Sequence, residues 1–255
     1  MVNKEIIKNN FSRYARYYDR YSTIQNLCAL RLVDKVNANS YKKILDIGCG
    51  TGNYTKLLKD KFPEACIKAI DISGEMVKVA KEKLQNEEIE FIVADAETAN
   101  FKEQFDFISS NASFQWFENL EGFLLRYKKF FNENGIILFS IFGPLTFYEL
   151  NESLKELSGE DKSISSCNFI KKGKIEEILK RLFKKVRIEE HIYKQTHNSL
   201  SELLKRIKYT GARGNGINSR KLWTPGMVYN LEKIYKRKFK DIISTYQVFF
   251  CKARK

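Results

Sequence analysis

Apolar residues fall into two periods along this chain. Short apolar runs bounded by glycine or polar residues alternate with stretches where apolar side chains recur every three or four positions. The first pattern predicts buried strands and the second amphipathic helices. Lys43 to Ile47 (KILDI) runs into a glycine cluster and reads as the first strand. Asn53 to Phe62 places Tyr54, Leu57, Leu58 and Phe62 on one helical face. Cys66 to Ile70 is the second strand, and Gly74 to Leu84 a helix presenting Met76, Val77, Ala80 and Leu84. Strands over Glu90–Ala94 and Phe105–Ser109, a helix over Leu120–Phe131 and a strand over Ile136–Phe142 complete the alternation. It predicts an α/β, right-handed, doubly wound parallel sheet with helices on both faces.

Beyond Phe142 the periods are less regular. Helices are expected over Phe147–Leu157, Lys174–Phe183, Leu200–Tyr209 and Gly226–Phe239, with a glycine-rich loop, Gly211–Gly216, between the last two. Strands are expected over Val186–Tyr193 and Ser244–Lys252. Together these predict a mostly parallel seven-stranded sheet in a single domain spanning 1–255. Insertions at 143–185 and 195–243 would cap the carboxyl edge, where open α/β sheets bind ligands.

Composition narrows the function classes. The 255 residues are 43 % hydrophobic and 30 % charged with three prolines, which excludes a disordered or fibrous chain. The longest strongly apolar run, Ile136–Phe142, is far too short to span a bilayer, and MVNKEIIKNN has no signal-peptide core. Five cysteines without a CxxC pair predict reduced thiols in a cytoplasm. His191 and His197, six apart, fit no helical ligand spacing, so no metal site is expected. Lys and Arg number 45 against 31 Asp and Glu, a net +14. Residues 1–140 hold 20 basic and 19 acidic side chains, and residues 141–255 hold 25 and 12. The excess therefore belongs to the second half and points to an acidic partner or a solvated surface.

The candidate chemistry begins at Leu45-Asp46-Ile47-Gly48-Cys49-Gly50-Thr51-Gly52. Glycines between a strand and its helix let the backbone bend tightly and offer free N–H groups to a ligand. The spacing is G-x-G-x-G, with Asn53 where a dinucleotide fingerprint wants glycine. Asp71 ends the second strand, where a carboxylate can accept both hydroxyls of a ribose. Asp95 follows the third strand, within reach of an adenine amino group.

This set resembles the class I methyltransferases that use S-adenosylmethionine and release S-adenosylhomocysteine. The resemblance implies cofactor contacts from Tyr14, Gly48, Gly50, Thr51 and Gly52, a ribose on Asp71, and an adenine among Ile72, Met76, Asp95 and Ala96. Asn111, Gln115 and Trp116 would line the pocket, and residues 1–40 would form a helical segment over the cofactor. Met76 reads equally as helix packing, Trp116 as core, and Asp46 either as a structural carboxylate or as a partner of the cofactor's amino group.

Further motifs extend the likeness: Phe11-Ser12-Arg13-Tyr14-Ala15-Arg16-Tyr17-Tyr18-Asp19, Ser110-Asn111 with Phe114-Gln115-Trp116, and Gly143-Pro144-Leu145-Thr146-Phe147-Tyr148-Glu149-Leu150. Thr210-Gly211-Ala212, Leu222-Trp223-Thr224-Pro225 and Thr245-Tyr246-Gln247-Val248-Phe249-Phe250 follow. In this order they resemble the malonyl-acyl-carrier-protein O-methyltransferases that open the pimeloyl branch of biotin synthesis. The resemblance implies a malonyl-phosphopantetheine substrate on an acidic acyl-carrier protein. A malonyl carboxylate, with a pKa of roughly 3–4, is already ionised and needs no base. Positioning by a hydroxyl and one cation then suffices; Tyr18 and Arg213 are the candidates, with Arg220 a weaker substitute for the arginine. The basic residues between Leu200 and Lys240, among them Lys205, Lys208, Lys233, Lys236 and Lys238, are the candidate docking face. A free carboxylic acid or a quinone precursor is the alternative acceptor. A nucleic-acid substrate is disfavoured, because Ser110-Asn111-Ala112-Ser113 stands where base-methylating relatives carry N-P-P-Y, and no RNA-binding module is present.

Overall fold

A computed structural model describes residues 3–36, 41–158, 164–211 and 224–255. Two helices precede the sheet, α1 (Lys4–Tyr21) and α2 (Thr23–Asp34). The alternating part follows as β1 (Lys43–Ile47), α3 (Asn53–Lys61), β2 (Cys66–Asp71), α4 (Gly74–Lys83), β3 (Ile89–Val93), β4 (Phe105–Asn111), α5 (Leu120–Tyr127) and β5 (Phe131–Phe142). The remainder is α6 (Tyr148–Ser158), α7 (Lys172–Leu182), β6 (Lys184–His197), α8 (Leu200–Tyr209), α9 (Pro225–Phe239) and β7 (Ile242–Arg254). Side-chain caps start several helices as their sequences dictate: Asn3, Ser73, Asn119, Ser199 and Thr224 each accept a backbone N–H from the first turn.

The strands form one sheet in the order β3-β2-β1-β4-β5-β7-β6. The first five are parallel, and β7 runs antiparallel between β5 and β6. Side chains alternate faces along each strand. Ile44, Ile136, Leu138, Val248 and Phe250 enter a core with α2, α3, α6, α8 and α9. Leu45, Ile47, Ile137, Phe139, Phe249 and Cys251 enter the opposite core with α5 and α7. The expected first insertion, 143–185, therefore takes in α7, which packs Ile175, Ile178 and Leu179 beneath the sheet beside α5. The α8–α9 part of the second insertion packs against α1, α6 and β7.

Two strands are longer than their apolar runs. β5 begins at Phe131 because Phe131 is fully buried and pairs with Phe105, although Asn132, Glu133 and Asn134 between it and Gly135 read as a turn. β6 reaches His197 because its residues alternate between part-buried and exposed along the sheet edge, a pattern weaker than a buried run. Among the described residues no helix is long and apolar enough to cross a membrane, and no His/Cys/Asp/Glu group could hold a metal. All five cysteines are free thiols.

Candidate active site

The strand order reverses direction at β1 and β4, where doubly wound sheets open a crevice at their carboxyl ends. A cleft enclosing about 740 Å³, its open mouth included, lies there. Its floor is the loop after β1. Gly48 and Cys49 both donate backbone N–H to the Ile70 carbonyl, at 2.8 and 3.1 Å, which folds the loop back over β2. Gly48, Gly50 and Gly52 have φ of +71°, +55° and +82°. A Cβ on Gly48 would lie 2.1 Å from the Ser113 hydroxyl oxygen, and one on Gly52 would press Leu84 and Ala80 of α4. A Cβ on Gly50 would meet nothing within 4 Å, since that glycine faces the open cleft.

Asp71 braces this loop as well as lining the cleft. Its Oδ2 accepts from Gly50 N at 2.9 Å and its Oδ1 from Ser73 N at 2.8 Å. Burial raises its pKa, and the backbone donors of Ser73, Gly50 and Ile72 oppose that rise. Beneath the loop Asp46 is fully buried, accepts Thr55 Oγ1 at 2.6 Å, and leaves Oδ1 without a partner. Burial pushes its carboxyl up to about 7. Asp46 is outside the cleft lining, and its bond from Thr55 holds α3 to β1. Ile72, Met76, Asp95, Ala96, Asn111 and Trp116 all line the cleft.

α1 closes one side with Lys4, Ile7, Phe11 and Tyr18. Lys4 Nζ reaches Asp95 Oδ2 at 2.5 Å and Glu97 Oε2 at 2.8 Å. At the other end of the helix Asp19 accepts Thr51 Oγ1 at 2.5 Å and Asn53 Nδ2 at 3.0 Å, and pairs with Lys83 at 2.5 Å. The segment is thus fastened to the glycine loop, to α4 and to the turn after β3. Thr51 spends its hydroxyl on this fastening and does not line the cleft, nor does Gly52. Tyr14, expected at the cofactor, packs its ring on Tyr209 of α8 at 5.1 Å and is not among the residues lining the cleft.

A second cavity, about 520 Å³, adjoins the first and shares Phe11, Tyr18, Ala112 and Trp116 with it. Gln115 lines this second cavity, and its buried amide donates to the Ala112 carbonyl at 2.6 Å. Thr146, Phe147, Ser166, Thr210 and Tyr246 form other parts of the wall. The distant G-P-L-T-F-Y-E-L and T-Y-x-V-F motifs meet here. Gly143 N donates to Gln247 O at 2.8 Å, Leu145 N to Gln247 Oε1 at 3.0 Å, and Phe147 N to Thr245 O at 2.7 Å. Glu149, 3 % exposed, accepts from Thr245 N at 2.9 Å and from the Thr245 hydroxyl.

Sequence reasoning gave Lys4, Asp19 and Glu149 no role. Asp19 and Glu149 sat inside quoted motifs, so position within a motif was the one available signal. The Tyr18 hydroxyl makes no hydrogen bond to another described residue, and burial raises its pKa. Arg213 and Arg220 lie outside the described residues.

A model for a methyltransferase domain matches residues 45–139, from β1 to the middle of β5. Among solved structures, the YcgJ protein of Bacillus subtilis superposes with a TM-score of 0.65 at 13 % identity, over 90 % of this chain and 98 % of that one. The phosphoethanolamine N-methyltransferase 2 of Haemonchus contortus, with S-adenosyl-L-methionine bound, gives 0.58 at 20 % identity over 95 % of this chain and 57 % of that one. These likenesses establish the fold. Sequence relatives are nearer: the malonyl-[acyl-carrier protein] O-methyltransferase 2 of Ilyobacter polytropus is 34 % identical over 94 % of this chain and 92 % of its own length. That of Acetivibrio thermocellus is 32 % identical over 100 % and 95 %. The matches run through the motifs that build both cavities, and the chain belongs to the malonyl-[acyl-carrier protein] O-methyltransferase family.

Proposed function

We propose that this protein transfers a methyl group from S-adenosylmethionine to the free carboxylate of a malonyl thioester on acyl-carrier protein, giving the methyl ester that primes pimeloyl synthesis for biotin. The observation that carries the reading is the junction of the two cavities: Phe11, Tyr18, Ala112 and Trp116 belong to both, so two ligands would meet there. When bound, the cofactor supplies an electrophilic methyl group. The residues present fit it, since Gly50 leaves the cleft open beside the backbone, and Asp71 and Asp95 would hold the ribose and the adenine edge. Ile72, Met76 and Ala96 offer the apolar walls an adenine ring needs.

The acceptor demands little acid–base work. A malonyl carboxylate is ionised near neutrality, so no proton has to be removed. Tyr18 is the positioning hydroxyl: burial keeps its phenol protonated, so it donates to a carboxylate at the junction. Phe11, Trp116 and Phe169 shed water from the meeting point. Five unpaired cysteines fit a cytoplasmic enzyme. The test incubates the protein with methyl-labelled cofactor and malonyl-carrier and looks for a base-labile methyl ester on the malonyl group. Its absence while cofactor binds would refute the acceptor assignment. Faster esterification of free malonate or another small acid would move the acceptor to that class.

A further inference from the structure

The net positive charge of the second half does not spread evenly over the folded surface. On α9, Lys236 pairs with Glu232 at 2.6 Å, and Arg237 and Lys238 both pair with Glu156 of α6. Lys233 lies over the Tyr229 ring at 4.3 Å. Glu232 of α9 itself and Glu156 of α6 thus engage three of the helix's four cations, and Lys233 has no carboxylate partner among the described residues.

The seam between α1 and α8 is different. Tyr14, Tyr17 and Tyr21 of α1 clasp Tyr209 of α8, with ring centroids 5.1, 5.4 and 4.7 Å away. Lys208 sits over the rings of Tyr14 and Tyr209, 5.5 Å from each centroid. Exposed Arg13 and Arg20, seven residues apart on α1, share one helical side with Tyr17, and Lys205 lies one turn before Lys208 on α8. None of Arg13, Arg20, Lys205 and Lys208 pairs with a carboxylate among the described residues. The nearby acids are committed elsewhere: Asp19 to Thr51, Asn53 and Lys83, Glu82 to Arg16, and Glu202 to Asn198 and Arg206. Tyr17 is 56 % exposed. The same two helices bound the second cavity, α1 through Phe11 and Tyr18 and α8 through Thr210, which follows it directly.

We propose that the outer face of the α1–α8 seam, and not α9, is where the acidic carrier protein docks, on the two helices that wall the second cavity. This rests on the carrier-bound acceptor proposed above. Unpaired cations attract an acidic partner over a Debye length, whereas on α9 Lys236, Arg237 and Lys238 are already held by Glu232 and Glu156 and present a smaller field. The tyrosines supply rigid apolar area with polar tips, the composition found at the centres of protein interfaces. The occupant follows from charge complementarity on the outer side of helices whose inner residues Phe11, Tyr18 and Thr210 line the acceptor cavity.

The test compares Arg13→Glu/Arg20→Glu/Lys205→Glu with Lys233→Glu/Lys236→Glu/Lys238→Glu, using malonyl-carrier and carrier-free malonyl-pantetheine. The seam variant is expected to raise KM for malonyl-carrier about tenfold at low salt, less at about 0.5 M, and to leave malonyl-pantetheine turnover unchanged. The α9 variant is expected to stay within about twofold throughout. A seam variant with unchanged carrier KM, or an α9 variant with the larger rise, overturns the docking site. Anisotropy of labelled holo-carrier reads docking apart from chemistry: equal affinity for seam variant and native protein overturns the site even if esterification proceeds. Tight, seam-dependent carrier binding without any ester would uphold the site and defeat the proposed reaction.

Discussion

Replacing Asp19 by alanine tests whether one carboxylate holds the N-terminal helix to the glycine loop. In the native protein it accepts from Thr51 Oγ1 at 2.5 Å and Asn53 Nδ2 at 3.0 Å, and pairs with Lys83 at 2.5 Å. The ion pair is the lesser part, because the two side chains are 40 % and 30 % exposed and screening leaves it about 0.5 kcal/mol. Thr51 is 1 % exposed, so stranding its hydroxyl costs about 1–2 kcal/mol. The coupling lost is therefore about 2 kcal/mol, enough to multiply the population with α1 released by about thirtyfold. Part of that factor passes to the cofactor, since α1 contributes Lys4, Ile7, Phe11 and Tyr18 to the cleft. Titration calorimetry with S-adenosylmethionine is expected to show Kd raised about tenfold in Asp19→Ala. Asp19→Asn keeps an oxygen for Thr51 and loses only the charge, so about a twofold change is expected. Unaltered affinity in the alanine variant refutes the fastening; equal losses in both variants place the effect in the Lys83 charge instead.

Three further outcomes follow from neighbouring contacts. Gly50→Ala and Gly52→Ala share a left-handed backbone but differ in surroundings: the first should destabilise by only about 1 kcal/mol while abolishing cofactor binding, the second by about 2 kcal/mol or more as its methyl meets Leu84 and Ala80. Urea unfolding beside calorimetry separates them, and equal stability losses would refute the assignment of Gly50 to the open side. Glu149→Leu leaves Thr245 N and its hydroxyl unmatched in the interior, which should cost about 3 kcal/mol in urea unfolding and raise acceptor KM more than cofactor Kd; a loss under about 1 kcal/mol refutes the pinning role. For Asp46, burial holds the folded-state pKa at about 7, above the unfolded value near 4. The folded chain keeps a proton the unfolded chain releases, so this group's stabilisation is full below about pH 4 and is lost as pH rises through about 7. The Tm of Asp46→Asn minus that of the native protein should therefore grow from about pH 5 to about pH 8, and a constant difference refutes the shift.

The inner strands of the sheet were legible because they are buried on both faces. KILDI is β1 to the residue, and the glycine run after it predicted the loop that Asp71 braces. Chemistry that depends on chain reversal at a strand end is local, so Gly50, Asp71 and Asp95 were readable from their positions, while Ile72 and Met76 came from the family resemblance; all five line the cleft. What spacing does not encode is the partner of a side chain from a distant element. Tyr14 faces α8 because α1 lies across it, a tertiary fact with no local sign. Asp19 and Lys83 meet across 64 residues, and Glu149 and Thr245 across 96. Charge counting failed in the same way: Arg237 and Lys238 on α9 raise the sum, but only the fold reveals that Glu156 of α6 pairs with both.

A carboxylate acceptor sets two demands that oppose each other, attraction strong enough to bring it in and solvation weak enough to leave its oxygen nucleophilic. Among the described residues, the lining of the second cavity contains no lysine or arginine. Its donors are hydroxyls and amides, with burial raising the pKa of Tyr18 and pushing Tyr246 up to about 12, so both phenols stay protonated at neutral pH. A neutral hydroxyl gives a carboxylate one hydrogen bond where a guanidinium gives two together with a full positive charge, so it withdraws less of the nucleophile's charge. Among the described residues, the unpaired cations Arg13, Arg20, Lys205 and Lys208 stand outside, on α1 and α8, where attraction speeds arrival without adding to ground-state binding at the reacting atoms. The separation predicts a split in the kinetics. Tyr18→Phe removes a donor at the junction and should lower kcat about 10- to 100-fold with acceptor KM within about threefold, whereas reversing the seam charges should raise KM and spare kcat. Single-turnover measurement with cofactor saturating reads the chemical step directly. A Tyr18→Phe enzyme with native kcat and raised KM would place that hydroxyl in binding alone and end the argument for positioning.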